Sequence, residues 1–305
     1  MDSSGQEGCN IGLSKTVAAG KKVSGGKESV QELLGILVRI QELGFALMEH
    51  DAAEAQKGKE EIQKAREDLA AGVPPEWLRV VERLQNTGQP ALVPATEGFC
   101  SYCRIQLPTR MFQEVMGNAR IHQCPCCARI LYAPEGGGLH LKESTPRMGG
   151  GGLARFSNPQ LVMPNLSGRN MPEVLEEMVG RLSSLGWIAE PQEVLRAAIQ
   201  REELVSTALG HGLAFPHVRG VEGGGLVVAV GLSRRGVRFC PDERRFTRIF
   251  FFSVIPQAAS SLYLRIVGGI VKALRTVEAR KRLLSCNDSK TAWEVLIQLI
   301  DPTLP

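Results

Sequence analysis

A short segment, STALGHGLAFPH from Ser206 to His217, holds side chains that could carry out chemistry on a phosphoryl group. Pro216 fixes its own φ and keeps Phe215 extended, so the imidazole of His217 is presented in one orientation. A neutral imidazole nitrogen is a competent nucleophile near pH 7. The segment by itself leaves two interpretations of His217 open: a nucleophilic histidine, or a solvated or capping residue of a glycine-rich loop.

Groups that favour a bound anion lie close to His217 in the sequence. Gly210 and Gly212 permit backbone angles that other residues avoid, and they can expose amide groups to a phosphate. Guanidinium and hydroxyl groups are the donors that phosphoryl oxygens need. The candidates for these donors are Arg201, Ser206, Thr207 and Arg219.

Four cysteines follow the spacing Cys-x2-Cys-x20-Cys-x2-Cys, which strongly indicates a metal site. Four thiolates fill the tetrahedral shell of zinc and leave no position for a substrate, so the predicted site is structural and holds one ion. A redox pair or an iron centre is a less favoured interpretation. The predicted ligands are Cys100, Cys103, Cys124 and Cys127.

Two further residues are candidates near this site. Cys126 could replace Cys124 or Cys127, but the latter pair keeps the two-residue gap, so we interpret Cys126 as a spare thiol. His122 is a fifth candidate ligand, although we expect a solvated loop histidine. Because five of the eight cysteines lie within 100–127, a metal is favoured over disulfides.

The chain is long enough for two folded parts, with 305 residues of which 43% are hydrophobic. Composition changes sharply at glycine-rich and proline-rich stretches, which serve as predicted boundaries. We expect a disordered tail over 1–27, a helical arm over 28–90, a zinc ribbon over 96–134, a flexible glycine-rich linker over 135–155 and a layered α/β domain over 156–303.

The helical arm carries apolar residues three and four positions apart from Val30 to Leu47, the pattern of a coiled-coil seam. This pattern predicts either self-association through the arm or an ordinary pair of packed helices. A further short helix is predicted from Pro75 to Gln85, since proline is tolerated in the first turn. The glycines of the linker suggest that the parts on either side of it are independent.

The C-terminal part alternates helical and strand-like pieces. The runs LVVAVGL and RIFFFSVI are continuous and apolar, as strands buried on both faces are. Helices are predicted from about Met171 and Pro191, and two more close the chain, around 260–285 and 291–300. The predicted fold class is α/β, a mixed sheet covered by helices.

Composition gives little support for several classes of partner. The net charge is +4 and aromatic residues make up 5% of the chain, so neither a polyanion surface nor a stacking platform for nucleic acid is expected. No stretch is apolar over about 18 residues, the length that crosses a membrane. The tail lacks the apolar core of a signal peptide, and we expect a cytoplasmic protein.

The stretch REELVSTALGHGLAFPHVR resembles the signature around the phosphorylated histidine of type-2 EIIA domains in the phosphoenolpyruvate-dependent phosphotransferase system. The resemblance covers roughly 156–300 and includes the fructose, mannitol and nitrogen-regulatory types. It implies that His217 accepts the phosphoryl group, that Arg201 is the family's arginine, and that Ser206 and Thr207 are its hydroxyl pair.

One position departs from the family pattern. The second histidine of the family, thought to assist or orient the phosphoryl group, is matched here by Tyr263. This replacement implies slower transfer, or a domain that binds without passing phosphate on. His211 between its two glycines is a candidate to compensate in part.

A second resemblance covers Val80 to Tyr132, whose Cys-x2-Cys turns and closing CPCCARILY resemble bacterial coiled-coil proteins that end in a C4-type zinc ribbon. That family implies an adaptor or scaffold role. The long arm of those proteins is reduced here to roughly Val30 to Gln85.

Together the two resemblances imply a phosphoryl carrier fused to a helical arm and a zinc ribbon. The implied donor is phospho-HPr, and the implied acceptor is an EIIB partner or a regulatory target. The lack of an EIIB or EIIC segment in this sequence favours regulation over sugar uptake. The alternative is a non-catalytic adaptor that binds protein or nucleic acid and carries an inactive EIIA-like domain.

Overall fold

The computed structural model describes residues 27–56, 58–134, 139, 141, 151–240 and 246–304. The predicted disordered tail, apart from its last residue, and residues 135–138, 140 and 142–150 of the predicted linker lie outside these residues. Within the described ranges, no helix is both long enough and apolar enough to cross a membrane.

Three helices open the described chain, at the places where the sequence predicts helices. The apolar seam of the first helix is buried, and its residues Leu37 and Ile40 are fully inaccessible. The third helix begins with proline in its first turn, as predicted. The three helices are α1 (Lys27–Ala52), α2 (Lys59–Ala70) and α3 (Pro75–Gln85).

A small sheet with one short helix follows. Its strand order is β2-β1-β4-β3, in which β1 and β4 are parallel and the two outer pairs are antiparallel. Gln41 of α1 accepts hydrogen bonds from the backbone N–H groups of Ala91 and Leu92 at 2.6 and 2.7 Å, which ties α1 to this sheet. The elements are β1 (Leu92–Thr96), β2 (Phe99–Cys100), α4 (Thr109–Met116), β3 (His122–Gln123) and β4 (Ile130–Tyr132).

The C-terminal part is built around a mixed six-stranded sheet. The longest strands, β9 and β10, are antiparallel neighbours in the middle of the order β5-β9-β10-β7-β6, and β8 also pairs with β10. Both are buried on two faces, as their continuous apolar runs predict. The strands are β5 (Val162–Met163), β6 (Ala208–Gly210), β7 (Leu213–Ala214), β8 (His217–Val221), β9 (Val227–Val237) and β10 (Thr247–Pro256).

Helices cover both faces of this sheet and confirm the predicted α/β class. Successive residues of β9 enter the two apolar cores in turn: Val228 packs in the core with the last three helices, and Val227 packs in the other core. The helices are α5 (Met171–Ser184), α6 (Pro191–Leu204), α7 (Ser260–Ala273), α8 (Val277–Leu284) and α9 (Ser289–Ile300).

The single helix predicted over 260–285 is in fact two helices. The chain leaves α7 after Ala273, and the hydroxyl of Thr276 accepts a hydrogen bond from the N–H of Ala279 at 3.1 Å. A threonine at this position caps a new helix, so α8 begins one residue later. The apolar residues on both sides of the break hid it from the sequence pattern.

The expectation that the linker leaves the parts independent is wrong for this structure. Arg104 of the ribbon donates to Glu222 of the C-terminal part at 2.7 Å. Leu153, inside the predicted linker, is completely buried in the core that contains α7 and α9. The seam of α1, expected to be available for self-association, packs against α3 and the ribbon sheet of its own chain.

Candidate functional site

His217 is the first residue of β8, where the sheet holds both its backbone and its ring. The strand pairs in parallel with β10, which sets His217 opposite Ser253. Its side chain is completely buried, and Nδ1 lies 3.0 Å from the carbonyl oxygen of Phe215. Because a carbonyl only accepts hydrogen bonds, Nδ1 carries the proton, and the lone pair of a neutral ring stays on Nε2.

Tyr263 contacts the Nδ1 side of this ring. Its hydroxyl donates to the carbonyl oxygen of Phe215 at 3.2 Å and also lies 3.2 Å from His217 Nδ1. The ring centroids of Tyr263 and His217 are 5.1 Å apart. Tyr263, which the sequence predicts to match the second histidine of the resembled family, therefore touches His217 directly.

The Nε2 side faces Glu49 of α1, a residue that the sequence did not single out. Oε1 of Glu49 lies 3.4 Å from His217 Nε2. Arg201 donates to Oε2 of the same carboxylate at 3.1 Å, and Arg219 donates to Oε1. We call these four residues, Glu49, Arg201, His217 and Arg219, the Glu49 cluster.

The electrostatics of the cluster keep His217 neutral. Burial lowers the pKa of His217 to about 3; Glu49 opposes this shift, while the nearby guanidinium charges reinforce it. Burial would raise the pKa of Glu49, but the basic side chains around it prevail and hold that pKa below its ordinary value. Near pH 7 the cluster therefore holds a neutral imidazole, a carboxylate and two guanidinium ions.

Packing fixes both arginines beside His217. The guanidinium carbon of Arg219 lies 4.2 Å from the ring centroid of Phe45 and 5.1 Å from that of Tyr263, within the range of cation–π contacts. Arg201 donates to the carbonyl oxygen of Val205 at 2.8 Å, a bond that anchors it at the end of α6. Arg201 therefore lies beside the carboxylate that faces His217, and its role in phosphoryl transfer stays a prediction.

Several buried donors and acceptors of the cluster have no hydrogen-bond partner among the described residues. They are His217 Nε2, Nε and Nη1 of Arg219, and Arg201 Nε, which faces Oε2 of Glu42 at an ion-pair distance of 3.5 Å. Buried polar atoms are normally satisfied, and each exception asks for an explanation. An anion with more oxygens than a carboxylate could bind several of these atoms.

The predicted hydroxyl pair is engaged elsewhere. Ser206 and Thr207 donate to the two oxygens of Glu202 at 2.8 and 2.6 Å, and the N–H of Thr207 donates to the same carboxylate at 2.7 Å. These bonds terminate α6 and lead the chain into β6. In this structure both hydroxyls are therefore paired with Glu202.

The glycines predicted to bind phosphate lie away from His217. Gly210 and Gly212 have φ of +93° and +74° and form the turn between β6 and β7 with the exposed His211. β7 pairs with β10 at Ile249, four residues before Ser253, so the turn begins about 13 Å along the sheet from His217. The geometry therefore contradicts a role at His217 for both glycines and for His211.

Sequence reasoning missed Glu49 because its partners are far away in the chain. Glu49 follows the buried Phe45 by four residues and so lies on the inward face of α1. The sequence signal is a charged residue on the apolar face of a helix. This pattern does not indicate which residues Glu49 contacts.

The four predicted ligand cysteines lie together in the ribbon. Sγ of Cys100 is 3.7 Å from that of Cys127, Sγ of Cys103 is 3.5 Å from that of Cys124, and all four atoms lie within 4.8 Å of one another. A tetrahedron with zinc–sulfur bonds of about 2.3 Å has sulfur atoms about 3.8 Å apart. The thiols therefore fit a tetrahedral ion of this size.

The two neighbouring candidates do not join this cluster. Cys126 is exposed and is not among the grouped thiols, which agrees with a spare cysteine. His122 lies in β3 with Nε2 2.8 Å from Oε2 of Glu114. The expectation of a solvated loop histidine is therefore corrected, because His122 is paired and largely buried.

Comparison with known proteins adds family evidence to this geometry. Residues 155–299 match the family model described as "Phosphoenolpyruvate-dependent sugar phosphotransferase system, EIIA 2". A fructose-specific EIIABC component from Bacillus subtilis is 25% identical over 134 residues, which are 44% of this chain and only 21% of that protein. A nitrogen regulatory protein from Bradyrhizobium diazoefficiens is 24% identical over 138 residues, 45% of this chain and 90% of that protein.

Among solved structures, the nitrogen regulatory protein IIA-Ntr from Neisseria meningitidis shares 20% sequence identity, with a TM-score of 0.42. The aligned part covers 46% of this chain and 96% of that chain. The family match begins after the ribbon and includes the whole six-stranded sheet with α5 to α8. Residues 155–299 of this chain therefore match the EIIA type-2 family, whose members are phosphotransferase components.

Proposed function

We propose that residues 155–299 form a phosphoryl carrier whose acceptor atom is Nε2 of His217. The observation that supports this most is the carboxylate held by Arg201 and Arg219 beside a neutral imidazole. A phosphoryl group needs the same arginine donors and the same neighbouring nucleophile.

The proposed transfer is a simple displacement at phosphorus. The Nε2 lone pair of His217 forms a bond to phosphorus, while the bond between phosphorus and the donor breaks and its electron pair leaves with the donor. Nδ1 keeps its proton throughout, because it donates a hydrogen bond to the carbonyl oxygen of Phe215 over 3.0 Å. Arg201 and Arg219 stabilise the charge on the phosphoryl oxygens.

The donor and acceptor in this proposal follow from the family. Phospho-HPr is the proposed donor, and the acceptor is an EIIB partner or a regulatory target. Relatives named as fructose-specific and as nitrogen-regulatory are both present among the matches, so either acceptor agrees with them. We retain the cytoplasm as the expected location.

The test is phosphoryl uptake by the full, metal-loaded chain incubated with phosphoenolpyruvate, enzyme I and HPr. Intact mass should show one added, acid-labile phosphoryl group, and His217→Ala should abolish it. His211→Ala is the matched control, because His211 is exposed in the β6–β7 turn and should leave uptake unchanged. Equal uptake by His217→Ala would refute the proposal, and no uptake by any variant would favour the adaptor alternative.

We also propose that the four clustered thiols hold one structural zinc ion. The sulfur distances of 3.5 and 3.7 Å support this, and a filled tetrahedron leaves no site for a substrate. Purified protein should contain one zinc per chain, measured by elemental analysis. Cys124→Ser should lose the ion, whereas Cys126→Ser should keep it; zinc loss from Cys126→Ser would contradict this ligand set.

A further inference from the structure

The position that a phosphoryl group would need at His217 is filled by this chain itself. Only 3.4 Å separates His217 Nε2 from Oε1 of Glu49. A phosphorus atom bonded to Nε2 would have to lie within that gap, together with its oxygens. The side chain of Glu49 and a phosphoryl group therefore exclude each other.

The charges lead to the same conclusion. Glu49 is the carboxylate that Arg201 and Arg219 share in a buried place, where unpaired charges are costly, and Arg201 also faces Glu42 at 3.5 Å. A phosphoryl group brings its own negative charge and acceptor oxygens to these arginines. Placing it beside the carboxylate would add like charges at contact, so one anion replaces the other.

Glu49 is buried, and the packing of α1 holds it at the site. Its side chain is 3% exposed, and Phe45 on the same face of α1 is completely buried. One turn further on, α1 meets α7 so closely that a Cβ on Gly268 would lie 3.0 Å from the carbonyl oxygen of Ala52. The C-terminal end of α1 therefore covers His217.

We propose that Glu49 is an internal substitute for the phosphoryl group, so that α1 closes the carrier site with a carboxylate and is displaced when the site is phosphorylated. This inference rests on the proposed carrier function and adds its regulation: uptake is limited by release of Glu49. It also assigns α1 a role that the family match does not include, since the match begins at residue 155.

An anion could reach the arginines beside the closed helix. A cavity of about 740 Å³ lies between α1 and α6, and both Arg201 and Arg219 line it. Arg39 and Arg196 line the same cavity, together with the carboxylates of Glu42, Glu193 and Glu203. Inorganic phosphate is therefore a suitable probe of the site that needs no enzyme.

The experiment compares the full, zinc-loaded wild type with Glu49→Ala and Glu49→Gln. Glu32→Ala is the matched control, since Glu32 is an exposed acidic residue of the same helix. Two quantities are measured for each: the initial rate of phosphoryl uptake from phospho-HPr, and phosphate binding by calorimetry at constant ionic strength. Zinc content and thermal unfolding verify that each variant is folded. If Glu49→Ala does not fold, Glu49→Gln still tests the inference, because it removes the charge and keeps the side-chain volume.

We expect Glu49→Ala to take up the phosphoryl group at least roughly tenfold faster than wild type. In the variant, the open conformation that can accept the phosphoryl group is no longer a minor population. It should also bind phosphate that the wild type and Glu32→Ala do not bind. Glu49→Gln should show the same direction with a smaller gain.

Equal rates for wild type and Glu49→Ala, both dependent on His217, would overturn the inference and leave the carrier intact. If no variant takes up a phosphoryl group while Glu49→Ala alone binds phosphate, the substitution of one anion for another stands and the carrier function fails. Phosphate binding of equal strength in wild type and Glu49→Ala would refute the substitution itself.

Discussion

At the scale of single residues, the chemical state of His217 follows from its nearest neighbours. The carbonyl oxygen of Phe215 fixes the proton on Nδ1, and burial keeps the ring neutral. Tyr263 lies on the same side, and burial raises its pKa well above the ordinary value. A phenol in this state can orient the ring but cannot supply the positive charge that a second histidine could.

This division of roles predicts the effect of Tyr263→Phe. The free energy of unfolding should fall by about 1 kcal/mol, because a buried hydrogen bond is lost while the ring packing remains. Phosphoryl uptake should change only a few-fold, since Phe215 still holds Nδ1. Urea unfolding and the uptake rate are the measurements.

Tyr102→Phe is the matched control, because it also removes a hydroxyl, which donates to Gln89 at 3.0 Å in the ribbon. Uptake should be the same as in wild type. If Tyr263→Phe abolished uptake without unfolding the protein, Tyr263 would have to act on the phosphoryl group directly.

At the scale of elements, α1 is the part that most changes the site. Its seam was predicted from spacing alone, and the seam packs inside the chain. A Cβ on Gly268 of α7 would lie 3.0 Å from the carbonyl oxygen of Ala52, so a side chain fits there only if the end of α1 shifts. The helix end that carries Glu49 therefore depends on a glycine in another element.

Gly268→Val should push the end of α1 away from α7. Overpacking of this kind costs roughly 1–3 kcal/mol, and here the strain is relieved by opening α1. Amide exchange over 45–52 should speed up, and phosphoryl uptake should speed up with it.

Gly180→Val tests whether any valine in a helix has this effect, because a Cβ on Gly180 of α5 would meet nothing within 4 Å. It should leave exchange over 45–52 unchanged. Unchanged exchange in Gly268→Val as well would show that α1 is not held by this contact.

At the scale of the whole molecule, α1 joins the ribbon to the C-terminal α/β part. The side chain of Gln85 donates to the carbonyl oxygen of Gln41 at 2.6 Å, and Gln41 in turn accepts from the strand that begins the ribbon. The same helix reaches His217 through Glu49 eight residues later. A structural change in the ribbon should therefore affect the site around His217.

Removal of the metal is expected to loosen more than the ribbon. The metal would hold the two Cys-x2-Cys turns together beside a small apolar core that includes two of the ligand cysteines, so a chelator should unfold 99–132. Hydrogen exchange should then also rise over 33–50 of α1, while 227–237 and 247–256 stay protected. A rise confined to 99–132 would show that ribbon and carrier are uncoupled.

Much of this organisation could be predicted from the sequence because the signals are local. Cysteine spacing identifies a metal site within one ribbon, and the apolar runs of β9 and β10 identify buried strands. The partners of Glu49 could not be predicted, since Arg219 lies 170 positions away and a contact of that kind leaves no local pattern. The prediction for the glycines at 210 and 212 failed for a related reason. They are close to His217 in the sequence, but the chain between them is extended, so they are far from it in space.

The central claim is that His217 itself receives the phosphoryl group. Tandem mass spectrometry at neutral pH, on peptides of the chain phosphorylated through phospho-HPr, locates the modification among the five histidines of the sequence. The account predicts phosphohistidine at His217 alone. A phosphoryl group on His211 or on any other residue, with His217 unmodified, would contradict it.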